Sequence, residues 1–135
     1  MSSVFLDTGY LLALELKHDQ HHGAALQHWR QVQSDLPPLV TTTYVFDEVV
    51  TFFNSRGYHS KAVEVGTRLL RSPSVQLVHV DSTLFQSGWA YFRQYHDKQF
   101  SLTDCISFAV MHQFGITTAF TFDQHFIQAG FQRQP

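Results

Sequence analysis

Short apolar runs alternate with helix-periodic segments along the whole chain, and no other feature limits the possible folds as strongly. Ser3-Val-Phe-Leu6 is apolar and is followed at once by helical spacing, the pattern of a buried strand feeding a helix. Helices are predicted over Tyr10 to Leu16 and His21 to Val32, separated by the polar His18-Asp-Gln20. Pro37-Pro38 breaks the pattern, Leu39 to Thr42 reads as a second strand, and Thr43 to Ser55 returns to helical spacing before Gly57. A helix over His59 to Leu70 ends at Ser72-Pro73, and the β-rich Val75 to Val80 leads through Asp81 into an aromatic helix reaching His96. Ser101 to Phe114 reads as a helix closed by Gly115, Thr117 to Phe122 as a strand, Asp123 to Ala129 as a short helix and Phe131 to Arg133 as an edge strand. Such alternation predicts an α/β fold: an α/β/α sandwich around a central, mostly parallel sheet.

The 135 residues suit one domain spanning 1–135, with no linker, repeat or low-complexity segment. A net charge of −2 with no Lys/Arg block gives no support to duplex-DNA binding through phosphate contacts. The single cysteine, Cys105, excludes an internal disulfide framework, and its apolar neighbours suggest a small buried hydrophobe. No apolar run reaches the ~18 residues needed to cross a bilayer, and the N-terminus lacks the features of a signal peptide. A soluble, cytoplasmic protein with no membrane partner is expected.

Ligands of parallel sheets bind at the carboxyl ends of the strands, and Asp7, Asp81 and Asp123 each directly follow a predicted strand. Taken singly, each is explained by helix capping. Asp104 is as well, since Ser101-Leu-Thr-Asp104 fits a capping box. Glu48 is harder to explain this way because it falls inside a helix, at the margin of an apolar arc with Val45, Val49, Phe52 and Phe53. The predicted topology brings several of these acids to one sheet edge. Carboxylates crowded together must take up protons or bind a cation, and an all-oxygen site suits Mg²⁺ or Mn²⁺.

An ordered set of segments then resembles the PIN-domain ribonucleases, including the toxins of VapBC-type toxin–antitoxin pairs. These segments are Val4-Phe-Leu-Asp7-Thr8, Asp19 to Ala25, Glu48 after Thr41-Thr-Thr43, Phe100 to Phe108 around Asp104, Gly115-Ile, and Phe120-Thr-Phe-Asp123-Gln-His-Phe126 before Gly130-Phe131. The resemblance covers nearly the whole chain. It implies a PIN-like fold, hydrolysis of RNA phosphodiester bonds with Mg²⁺ or Mn²⁺, and an acidic cluster of Asp7, Glu48, Asp104 and Asp123. Thr103 or Thr121 would serve as hydroxyl helpers. A small antitoxin protein is implied by the resemblance alone. The alternative is an inactive PIN-like module that binds RNA or protein, against which retention of all four acids argues.

Competing readings of Asp7-Thr-Gly9 fail on its surroundings. An aspartic protease needs β-rich sequence after this tripeptide, whereas the segment from Tyr10 is helix-like. A phosphoaspartate hydrolase needs a second acid where Gly9 stands. His18, His21 and His22 have a spacing that could bind Zn²⁺, but no cysteine is near to complete a structural site. His112 and His125 are read as packing or solvent-facing residues. Arg56, Lys61, Arg68 and Lys98 are candidates for an RNA path. Neighbours on a helix diverge by about 100°, so only one of Asp47 and Glu48 can face the site, and the apolar arc selects Glu48. Apolar positions on the helices from Tyr10 to Val32 and His59 to Leu70 exceed what one small domain covers, which points to a homodimer.

Overall fold

A computed structural model describes residues 1–135. Its elements are β1 (Val4–Leu6), α1 (Thr8–Glu15), α2 (His22–Val32), a 3₁₀ turn (Gln33–Asp35), β2 (Leu39–Thr42), α3 (Thr43–Ser55), α4 (His59–Arg71), β3 (Val75–Val78), α5 (Ser82–Gln94), α6 (Leu102–Gln113), β4 (Thr118–Phe120), α7 (Gln124–Gln128) and β5 (Gln132–Gln134). The five strands form one sheet in the order β3-β2-β1-β4-β5. Every pairing is parallel, including that of the short β5 with β4, so the sheet is wholly rather than mostly parallel. The strand predicted over Val75 to Val80 ends at Val78, because the chain leaves the ladder to reach Asp81, whose side chain caps α5 through the Leu84 N–H at 2.9 Å.

Strand order fixes where a ligand can bind. From β1 the chain steps to β2 and β3 on one side, then crosses back to place β4 on the other side of β1. Right-handed crossovers therefore put α1 to α4 on one face and α5 to α7 on the other. The carboxyl ends of β1 and β4 diverge into helices on opposite faces, and this switch point opens a crevice. Asp7 ends β1 and Asp123 follows β4, so two of the predicted acids flank it.

The centre of the sheet is buried on both sides. All of β1 and β2 is buried, and Phe5, Tyr10, Phe108, Phe120 and Phe126 are among the fully enclosed side chains. Phe108 lies 5.0 Å, centroid to centroid, from both Phe100 and Phe126 in edge-on geometry, a favoured arrangement of ring quadrupoles. This packing anchors α6 and α7, which carry Asp104 and His125. Gly88 lets α5 approach α6 closely: a Cβ there would lie 2.5 Å from Ile106 Cγ1 and 3.0 Å from its Cα. Cys105 is buried as expected, and burial, with the neighbouring Asp104, pushes its thiol up to about 11. No helix is long and apolar enough to cross a membrane.

Candidate active site

Asp7, Glu48, Asp104 and Asp123 line one polar cleft at the switch point, together with Thr8, Ser101 and His125. Each is delivered by a different element. Asp7 is the residue between β1 and α1, but it makes no side-chain capping bond. Its Oδ2 instead accepts the Thr121 hydroxyl at 2.7 Å, and Thr121 Oγ1 accepts the Asp123 N–H at 3.0 Å. One hydroxyl thus ties the end of β1 to the turn after β4.

Asp104 does make the predicted capping box: it receives the Ser101 N–H at 3.1 Å and gives its own N–H to the Ser101 hydroxyl at 3.0 Å. Capping and cleft lining coexist because α6 begins at the cleft wall. Asp123 likewise caps α7 through the His125 N–H at 2.9 Å. Glu48 projects from the middle of α3, where its Oε1 accepts the Thr8 hydroxyl at 2.7 Å. Asp47, about 100° around the helix, points away and takes the Thr51 hydroxyl at 3.2 Å.

Burial and neighbouring charge both tell on Asp7. Its carboxyl is pushed from 3.8 up to about 7, first by burial and further by the Asp104 and Asp123 carboxylates, while the Thr121 hydrogen bond pulls the other way. A cation would relieve that cost. The donor set fits one: ligating atoms of Asp104, Asp123 and His125 all lie within 4.8 Å of one another, and Asp7 and Glu48 line the same cleft. Clustered carboxylate oxygens are the donors that hard divalent cations prefer.

Several expectations need correcting. Thr103 does not line the cleft, since it precedes Asp104 by one helical step and points elsewhere. Of the two threonines, Thr121 is the one whose hydroxyl bonds an acid of the cleft. His125 is not a bystander: its Nδ1 lies 3.0 Å from Asp104 Oδ2 and 3.4 Å from Asp123 Oδ1. The signal lay in its position two residues after a capping acid, a spacing shared with many surface histidines. Thr8 was also visible only as part of a motif. His18, His21 and His22 do not converge on a zinc site. His21 stacks on Phe122 at 4.3 Å, and His22 bonds the Ala13 carbonyl at 2.7 Å. Of the basic residues offered for RNA, Lys61 and Arg68 are engaged by Glu15 and Glu64, tying α4 to α1. Arg56 lies 3.6 Å over the Phe52 ring, and Lys98 stands beside Asp97.

Known proteins are similar to this chain in sequence and in fold. The chain is 34% identical over 128 residues to the 23S rRNA-specific endonuclease VapC20 of Mycobacterium tuberculosis, with 95% of each chain covered. The crystal structure of that protein, described as a Sarcin-Ricin loop cleaving toxin, superposes with a TM-score of 0.87 over 98% of this chain and 99% of the other, at 32% identity. FitAcB from Neisseria gonorrhoeae shares the fold at a TM-score of 0.68 and 15% identity, over 98% of this chain and 96% of the other. The PIN domain family model matches residues 4–132, from the first residue of β1 into β5, so the chain belongs to the PIN domain family.

Proposed function

We propose that the chain is an Mg²⁺- or Mn²⁺-dependent endoribonuclease and the toxin of a toxin–antitoxin pair, with Asp7, Glu48, Asp104 and Asp123 as its metal-holding acids. The observation that carries this reading is the meeting of four acids from four parts of the chain in one cleft. The similarity to a 23S rRNA-specific endonuclease supports RNA as the substrate class. A divalent ion bound there supplies positive charge that polarises a phosphate oxygen and makes an attacking water more acidic. Thr121 fixes Asp7, Thr8 turns Glu48 toward the cleft, and Ser101 aligns Asp104. Phe122, backed by the stacked His21, walls the cleft with an aromatic surface, suited to an unpaired base of a single-stranded or looped RNA.

The test is cleavage of an RNA pool by purified protein with Mg²⁺ or Mn²⁺ and with EDTA. Metal-dependent cleavage is expected. Cleavage undiminished by EDTA, or none with either ion, would refute the reading, and the latter with retained RNA binding would favour the inactive binding module.

Partners belong to the same proposal. A recess lined by Leu14, Leu26, Trp29 and Leu69, with Glu15 and Arg68 beside them, lies among α1, α2 and α4 and suits an amphipathic segment of a small antitoxin protein. Val63 and Leu70 are exposed on α4 near Phe46 and Val50 of α3, a face suited to a homodimer. Growth arrest on unopposed expression in bacteria, and a dimer by light scattering, are the expected results. On this reading the protein acts on RNA in the cytoplasm.

A further inference from the structure

His125 grips two of the four acids at once. Its backbone N–H holds Asp123 Oδ1 at 2.9 Å, and its ring nitrogen Nδ1 stands 3.0 Å from Asp104 Oδ2. An ionised carboxylate only accepts hydrogen bonds, so Nδ1 carries the proton in this contact. The ring is kept in place by Phe100, edge-on at 5.4 Å. Asp104 Oδ2 is then doubly occupied, by His125 Nδ1–H and by the Ser101 N–H at 3.1 Å.

Both of these hydrogen bonds fall on Oδ2 and leave Oδ1 free of them. We infer that His125 is a positioning residue for the metal site: its Nδ1–H pins Asp104 Oδ2 so that Oδ1 faces the cation. The inference rests on the metal-dependent reading above, but the residue lies outside the predicted acidic set. Hydrogen-bonded neighbours of this kind orient ligating carboxylates, and their loss typically weakens metal binding by about 10–100-fold.

Three substitutions separate this role from its rivals. Asn carries an N–H donor close to the position of Nδ1, Gln carries one nearer Nε2, and Phe keeps the ring against Phe100 without a donor. Mn²⁺ binding is measured by titration calorimetry and by the electron paramagnetic resonance of free Mn²⁺, on wild-type protein and each variant, with thermal melting as the check on folding. His125→Phe should melt near wild type and bind Mn²⁺ about 10–100-fold more weakly. His125→Asn should recover most of the loss and His125→Gln little. RNA cleavage by His125→Phe should be restored by excess Mn²⁺, with the metal concentration for half-maximal rate raised and the saturated rate less affected.

The reverse order, with Phe binding normally and Asn poorly, overturns the inference in favour of simple ring packing. Recovery by Gln alone overturns it in favour of direct ligation through Nε2. Wild-type protein that binds no Mn²⁺ removes the metal reading itself, a result distinguishable from equal binding by wild type and His125→Phe, which removes only the role of His125.

Discussion

Replacing Asp7 by Asn isolates the cost of holding an ionised carboxyl buried in the cleft. Asn is nearly isosteric, and its side-chain oxygen can still accept the Thr121 hydroxyl that Asp7 Oδ2 takes at 2.7 Å. What the substitution removes is the charge. In the metal-free protein, burial and the neighbouring carboxylates raise the Asp7 carboxyl from 3.8 to about 7. The folded state thus holds its proton more tightly than the unfolded chain does, and stability is lost as pH rises. The loss begins near the unfolded value and is complete above the folded one. A shift from 3.8 to about 7 corresponds to about 4 kcal/mol in all, of which more than half falls between pH 5 and pH 8. Urea denaturation in EDTA at several pH values checks this. Titrating groups outside the cleft contribute equally to both proteins, so the difference between the variant and wild type should grow with pH, and Asp7→Asn should be the more stable at pH 8. Parallel pH profiles would refute the reasoning, because they would mean that Asp7 titrates alike folded and unfolded.

Glu48→Gln should lower metal-dependent RNA cleavage by about 10²-fold or more, as expected for a lost ligand or its orienting partner, whereas Asp47→Asn, outside the cleft, should change the initial rate little. Ser101→Ala breaks the capping box of α6 and should cost about 1 kcal/mol in denaturation, with weaker Mn²⁺ binding because Asp104 loses its mooring. Gly88→Ala forces a Cβ against Ile106 and should destabilise the protein by about 1–3 kcal/mol. A melting temperature equal to wild type would show that α5 can move off α6 without cost.

Most of the fold was legible because buried parallel strands write themselves as short apolar runs and the helices between them carry 3.6-residue periodicity. Val4 to Leu6 and Leu39 to Thr42 are of this kind, and their strand-terminal positions made Asp7 a candidate before any coordinate was known. The phase of α3 was legible too: Val45 and Val49 are fully buried, and Glu48 rather than Asp47 lines the cleft. Other features were not. The start of α1 and the end of β3 differ by two residues from the spans predicted, as local signals leave boundaries loose. The capping box at Ser101 gave an adequate local explanation of Asp104, and only the sheet order shows that the same carboxylate enters the cleft. His125 was harder still, since its contact with Asp104 joins positions 21 residues apart and no periodicity encodes such a pairing.

The central place of β1 has a consequence for how the protein is made. β1 is hydrogen-bonded to β2 on one side and to β4 on the other, and Asp7 bonds Thr121 across 114 residues of sequence. Synthesis proceeds from the N-terminus, so a nascent chain ending at Phe114 already contains Asp7, Glu48 and Asp104 but has neither Thr121 nor Asp123. One flank of β1 then has no neighbour to pair with. A cell that makes this chain is therefore exposed to a complete acidic cluster only once the last sixth or so of the polypeptide has emerged and closed the sheet, and fragments released before that point should be inert toward RNA.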